Sequence, residues 1–364
     1  MPPEPDRHSR SLVGLIDSIA NHDHVAPELA RRLISVRELL LADDPVVRPF
    51  LTVLLRTQGQ RVEPLKDALL CLQGQTSQDF EIVVLLHDAS VENAAKVRGA
   101  LARQTPELRE RTRLLEVTGG TRSKPLNVGV ESANGRYVAV YDDDDLLFAH
   151  WVETFQREAA LNNGRLIRTV VANQSVEVEP WPDDREGFRS VSWPTPEYPE
   201  HFDQLDHLVV NYSPFMSWAF PRELFHQFGV RFDEELVVCE DWDVILRGSL
   251  LCGVDNVPEL TAIYRRRTHG DTSYSVHSSA EWQGAEERVI ERIDRAVMLL
   301  PPGSMRVARA AVVEAGTLHS YSYAFRGDRL WWPFRVTWRL VHPPYRFAVR
   351  VRARLRRGRR QRAG

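Results

Sequence analysis

The chain has 364 residues and only three cysteines, Cys71, Cys239 and Cys252. An odd count excludes a fully paired disulfide framework, and none of the three stands at metal-ligand spacing. That usage fits a reducing, cytoplasmic compartment. No apolar run approaches 18 residues, so no transmembrane helix is expected. Met1 to Arg10 is polar and lacks an apolar signal core, so a secretory leader is not expected in this stretch. No segment repeats another. With 43% hydrophobic and 27% charged residues, the composition is that of an ordinary globular protein, and the length allows one large domain with extensions.

Charge of one sign is missing from the end of the chain. From Arg326 to Gly364 there are 13 arginines and one acid, Asp328, a balance of +12. The formal net charge is −3, so the other 325 residues carry −3 − 12 = −15. An acidic body with a basic tail implies two kinds of partner. The tail interleaves its arginines with Trp331, Trp332, Phe334, Trp338, Tyr345 and Phe347. Arginines and interfacial aromatic rings together suit an anionic membrane surface, each charge contributing about 1 kcal/mol there. Nucleic acid is the competing partner, and a merely solvated basic segment the bland alternative.

Periodicity orders the rest. Leu29, Leu33, Val36 and Leu40 mark one helical face in an N-terminal extension, 1–48, expected to pack on the main domain. Strands are expected over 50–55, 80–86, 113–117 and 137–141, alternating with helices over 62–72, 91–104 and 126–134. That alternation predicts an α/β fold with a mostly parallel sheet flanked by helices, in which ligands bind beyond the carboxyl ends of the strands. Further on, a helix is expected over 146–163, strands over 167–172, 175–178 and 261–264, and helices over 221–228 and 239–251. The Pro- and Trp-rich stretch 179–207 reads as an irregular binding loop. Ser278 and Glu281 have capping-box spacing ahead of another helix, and a last one is expected over 305–323.

The strongest chemical signal is Asp142-Asp143-Asp144-Asp145, directly after the apolar run Val138 to Tyr141. Two such charges about 4 Å apart repel by roughly 4 kcal/mol at an effective dielectric near 20. A cleft that gathers them needs a cation, and oxygen ligands suit Mg²⁺ or Mn²⁺, which bridge carboxylates to phosphates. A solvated acidic loop is the alternative. Asp88 also follows a strand, although a helix N-cap would explain an acid there. Glu240 and Asp241 open a helix, where the dipole alone favours acids.

The ordered set formed by Asp88, Asn127-x-Gly129, the acidic run, Phe232-Asp233-Glu234-Glu235, Glu240-Asp241-Trp242-Asp243 and Tyr264 through His269 resembles the family 2 glycosyltransferases, over roughly residues 49–276. The resemblance implies the GT-A (Rossmann-like) nucleotide-diphospho-sugar transferase fold, with helical N- and C-terminal extensions, 1–48 and 277–364, around a nucleotide-binding half, 49–145, and an acceptor half, 146–276. It implies that Asp88 meets the nucleotide base, that Arg122 and Lys124 contact the diphosphate, and that Thr57, Asn127, Asp142 and Asp143 line the donor site. Asp144 is the implied principal metal ligand, with Asp142 nearer the ribose and His269 alongside. A run of four acids leaves room for a register slip that would involve Asp143 and Asp145. Asp241 is the implied catalytic base and Glu240 its orienting neighbour.

The function so implied is a metal-dependent, inverting transfer of one sugar from a nucleotide-diphosphate donor to a hydroxyl acceptor, a glycan or a lipid-linked glycan, with Mn²⁺ or Mg²⁺ as cofactor. The Gln-x-x-Arg-Trp motif of processive members is missing after Asp241. Arg56-Thr57-Gln58-Gly59 stands where many members carry Pro-Thr-Tyr-Asn. Two alternatives stay open. A sugar nucleotidyltransferase would need a Gly-rich loop after the first strand, where 56–62 holds one glycine. A silent nucleotide-sugar binding protein would not need both Asp144 and Asp241.

Overall fold

The structure, a computed structural model, describes residues 12–40, 46–181, 185–269, 273–296, 305–306 and 308–310. By its contacts the chain divides into a unit from Met1 to Pro302 and a second from Gly303 to Gly364. In the second, the described residues 305–306 and 308–310 are helical. The Arg-rich tail and most of the helix expected over 305–323 lie outside the described residues.

The first unit opens with helices α1 (Leu12–Ala20) and α2 (Pro27–Leu40). An alternating series follows: β1 (Leu51–Thr57), α3 (Val62–Gln73), β2 (Phe80–His87), α4 (Val91–Ala102), α5 (Pro106–Glu110), β3 (Thr112–Val117), α6 (Ser123–Ser132) and β4 (Tyr137–Asp142). After it come β5 (Leu146–Leu147), α7 (Trp151–Leu161), β6 (Leu166–Trp181), β7 (Arg185–Ser190), α8 (Gln204–His207), a 3-10 turn (Phe215–Ser217), β8 (Trp218–Pro221) and α9 (Arg222–His226). The last elements are α10 (Glu240–Cys252), β9 (Val254–Arg267), α11 (Ser273–Val276) and α12 (Ser279–Asp294).

The strands run β3-β2-β1-β4-β8-β6-β9-β5 across one mixed sheet, with β7 beside β6. β3, β2, β1 and β4 are mutually parallel, and β8 joins this half to the rest by antiparallel pairing on both sides. The parallel strands are apolar along nearly their whole length because both faces are covered. Leu55, Leu69, Val84 and Phe155 belong to the core on one face, and Leu54, Leu85, Leu126 and Val140 to that on the other. Helix α6 lies close on the sheet at Gly129, where a Cβ would come within 2.9 Å of Leu85 and 3.0 Å of Leu54. In this register Arg56 of β1 stands beside Asp142 of β4.

Several expectations change. The helix expected over 146–163 begins only at Trp151, because Leu146 and Leu147 pair with Ile263 and Ala262 of β9. A short apolar run does not distinguish strand from helix. The two strands expected over 167–178 are one, β6. Asn173, which looked like a break, stays in it through a backbone pairing with Thr195 and an amide donated to Glu197. The stretch 179–207 holds β7 and α8 rather than an irregular loop throughout. Helix α6 starts at Ser123, three residues early, since Pro125 is tolerated in a first turn. On α2 the expected packing face is mostly in solvent: Leu29 is 49% and Val36 45% exposed. The contact to the main body comes from α1, whose Ile16 is buried, and Arg37 ties α2 to α1 through Asp17 at 2.7 Å.

Candidate active site

A cavity of about 850 Å³ opens beyond the carboxyl ends of the parallel strands. Its wall includes Arg56 from β1, Arg122 from the start of α6, Asp142 and Asp145 after β4, and Glu240 and Asp241 at the start of α10. Acids 95 to 99 residues apart in sequence therefore face one space. Arg56 joins them. Its Nε and Nη2 donate to the two oxygens of Asp142 at 2.8 and 3.0 Å, and its Nη1 donates to Glu240 at 3.0 Å. Arg122 Nε lies 3.2 Å from the same Glu240 oxygen. Burial works to raise the pKa of Asp142, but the charge and hydrogen bonds of Arg56, helped by Arg122 and Arg61, hold it below the ordinary value. Glu240 is buried too, and Arg122 and Arg56 likewise keep it ionised.

Asp241 differs. Burial and the neighbouring Glu240 charge push it up to about 6, against hydrogen bonds from the Trp242 backbone and the Asn211 side chain. The Trp242 N–H donates to it at 2.7 Å. It is a carboxylate poised to take a proton near neutral pH. The residue before this helix start, Cys239, holds φ at +65°, a left-handed conformation that costs an L-residue roughly 1–2 kcal/mol. Asp88, after β2, holds φ at +47°. Strain of this kind at Cys239, which lines the cavity, is typical of functional sites.

The other expected donor residues divide. Asp88 is not a helix cap: Ser90 caps α4, accepting from Asn93 N–H. The Asp88 carboxylate instead accepts from Gly119 N–H at 2.6 Å and lies 3.2 Å from His87 Nε2, joining the ends of β2 and β3. Lys124 Nζ donates to Thr118 O at 2.6 Å and lies against the Gly119-Gly120 turn. Thr57 and Asp143 are both buried and bonded to each other; Asp143 also takes Arg61 at 3.1 Å, and Thr57 accepts Gly59 N–H. Both support the loops behind the cavity wall rather than forming it. Asn127 is occupied as well. Its amide donates to Phe232 O and Glu234 Oε1 and accepts Phe232 N–H, so its side chain pins the 232–234 loop.

The expected metal set does not assemble as a triad. Among the described residues no three His, Cys, Asp or Glu side chains are grouped to hold an ion. His269 is exposed beyond the end of β9. Asp144 meets Arg61 at 3.2 Å and Arg267 at 3.8 Å and is not among the cavity-wall residues. Asp145 is in that wall. Its Oδ1 accepts Arg265 N–H at 2.8 Å, while its buried Oδ2 has no hydrogen-bond partner. Burial, then the charges of Asp144 and Asp142, push this carboxyl well above its ordinary range. A buried carboxylate oxygen with no hydrogen-bond partner fits a divalent cation. Asp142 and Asp145 suit an ion of the Mg²⁺ type, which uses one or two carboxylates and takes further ligands from a diphosphate.

Residues 60–229 match Glycosyl transferase family 2. No curated protein matches the chain. Among solved structures the chain is similar to S. aureus TarS, at 14% identity and a TM-score of 0.50 over 77% of this chain and 46% of that one. It is also similar to S. aureus TarS 1-349 in complex with UDP-GlcNAc, at 17% identity and a TM-score of 0.48 over 66% of this chain. The chain spans 65% of that second protein. At 14% identity the first of these likenesses is one of fold alone, and it agrees with a parallel half flanked by helices. The family 2 match ends at Gly229, before Glu240 and Asp241. Sequence reasoning missed Arg56 and Asn211 as site residues, and raised Asp145 only through a register slip in the acidic run. Arg56 alone had a visible signal, since it departs from the family's pattern at the end of the first strand.

Among the described residues no helix is long and apolar enough to cross a membrane.

Proposed function

We propose that the chain transfers a single sugar from a nucleoside diphosphate donor to an acceptor hydroxyl, with inversion at the anomeric carbon. The observation that carries the reading is one cavity wall shared by Asp142, Glu240 and Asp241, in which Asp142 and Glu240 are locked as anions by Arg56 while Asp241 is raised toward neutrality. Asp241 takes the acceptor proton. The freed oxygen attacks the anomeric carbon, and the nucleoside diphosphate leaves from the opposite face with the bonding electron pair. Arg122, at the cavity wall, is placed to meet the leaving diphosphate as its charge develops. Asp88 is the proposed contact for the base. Asp142 and Asp145, with Asp144 beside them, are where Mn²⁺ or Mg²⁺ would be held, and the chemistry such an ion supplies is charge stabilisation of the leaving diphosphate. The missing Gln-x-x-Arg-Trp motif favours single addition over polymer synthesis. The basic aromatic tail, 326–364, is the proposed contact to an anionic membrane carrying a lipid-linked acceptor, and its deletion is expected to abolish binding to anionic vesicles.

The test is a panel of nucleotide sugars with Mn²⁺. Slow hydrolysis of one donor, lost on chelation and in Asp241→Asn, supports transfer. Pyrophosphate-dependent formation of a nucleoside triphosphate would replace this reading with a nucleotidyltransferase, and donor binding without turnover, with acceptor present, would replace it with a binding protein.

A further inference from the structure

The cavity continues past Asp241, and its far wall is made by α12, which lies beyond the family 2 segment. Trp282, Gln283 and Glu286 of that helix line the cavity together with Tyr198 and Val210. The helix is fixed rather than loosely apposed. Ser278 and Glu281 form a complete capping box at its start. Ala285, Val289 and Ile293 bury its inner face against Trp242 and Leu246 of α10. Arg288 donates to Asp233 at 2.6 Å, and Arg292 donates to Asp243 at 2.8 Å. Asp243 is fully buried on α10, two residues after the proposed base. The clamp therefore holds Trp282 and Asp241 in one frame.

From this we infer that α12 is the acceptor-recognition wall, and that the acceptor presents an uncharged glycosyl unit to Trp282. The inference rests on the transferase reading above and extends it to the substrate class. An indole half-exposed at a cavity wall offers a flat apolar surface for the C–H face of a sugar ring, while Gln283 and Glu286, one and four residues on, offer a donor–acceptor amide and a carboxylate to its hydroxyls. The charge at this end argues against an anionic acceptor. Two cations on the cavity wall already face acids: Arg122 is 3.2 Å from Glu240, and Arg266 is 3.6 Å from Glu197. Asp241 and Glu286 add negative charge where the acceptor would lie.

The experiment uses the full-length protein and 4-nitrophenyl glycosides (β-glucoside, β-galactoside, N-acetyl-β-glucosaminide and α-mannoside), with glycerol 3-phosphate as the anionic probe. Binding is read by saturation-transfer NMR without donor, and separately as acceleration of nucleoside diphosphate release with donor. At least one glycoside is expected to show ring-proton contacts, and Trp282→Ala to weaken it about tenfold, the scale of one good aromatic contact. Trp282→Phe should keep most of the affinity, and an unchanged melting temperature confirms that the variant is folded. Equal glycoside affinity in folded Trp282→Ala, contact by glycerol 3-phosphate alone, or no glycoside contact in the wild type would each overturn the assignment. Because the NMR readout needs no turnover, failure of the acceptor wall and failure of the transferase reading remain separate results.

Discussion

Two acids from distant parts of the chain, Asp142 and Asp241, meet at one cavity and have opposite fates. In the run after β4, Asp142 receives a guanidinium on both oxygens and stays charged. At the start of α10, Asp241 is hydrogen-bonded by neutral donors, the Trp242 N–H and the Asn211 side chain, and its pKa rises to about 6. The residue type is the same, and both lie where helix or strand ends favour ligands. What separates them is the placement of cations. Arg56 and Arg122 compensate Asp142 and Glu240, and the compensated Glu240 in turn raises Asp241. A site can thus make one carboxylate a permanent anion and another a proton acceptor by steering arginines, without changing the acids.

The largest expected effect breaks that comparison directly. Asp241→Asn should lower sugar transfer by about 10²–10⁴-fold, the usual contribution of a positioned base, with nucleotide-sugar affinity unchanged by calorimetry. Asp142→Asn should act mainly on donor affinity. Equal losses of turnover in both, at saturating donor, would erase the distinction. Next in size is Arg56→Ala. Removing one partner of a buried ion cluster costs about 3–5 kcal/mol, and here it strands two acids, Asp142 and Glu240, so the urea midpoint should fall sharply. Arg56→Lys, which cannot span both oxygens of Asp142 and reach Glu240, should recover only part of it.

A smaller effect runs with pH. Asp241 is raised from 3.8 to about 6 on folding, so the native state binds its proton more tightly than the unfolded chain. Its contribution is fully present below about pH 4 and is lost as pH rises through 6. Asp241→Asn should therefore be more stable than the wild type at pH 8, by on the order of 1–3 kcal/mol, and nearly equal to it at pH 4.5. Urea unfolding at the two pH values measures this. The same ionisation sets the transfer rate with the opposite sense: kcat/KM should fall about tenfold per unit below pH 6.

Much of this arrangement is legible in the residues. The four parallel strands announce themselves because strands buried on both faces must be apolar throughout, as Val138 to Tyr141 are. Asp88, the acidic run and Glu240-Asp241 follow from their positions after strands and at a helix start. The sequence is silent where function depends on register across the sheet. Arg56 faces Asp142 only because β1 and β4 pair in parallel at that offset, and a one-residue slip would send Arg56 to the other face. It is silent again for α12, whose salt bridges to Asp233 and Asp243 join residues 49 to 59 positions apart. Spacing rules describe neighbours on one element, and these contacts lie between elements.

Asn127 gives the finest test of how far a motif can be trusted. Its place in the Asn-x-Gly helix implied a donor contact, yet its side chain is spent on the backbone of Phe232 at 3.0 and 2.9 Å and on Glu234 at 2.8 Å. That loop precedes α10 and carries Asp233, the acid that receives Arg288 and Arg292. Asn127→Ala should therefore destabilise the protein by about 1–3 kcal/mol, the cost of stranding part-buried backbone groups, while the affinity for nucleotide sugar stays within twofold. The order of effects would reverse if Asn127 met the donor: affinity would collapse and the melting temperature would hold. An Asn127→Asp variant sharpens the reading, because it keeps the acceptor for Phe232 N–H but sets a carboxylate against Glu234. It should be less stable than Asn127→Ala above the carboxylate range, and regain stability as the pH falls toward 4 and the pair is protonated.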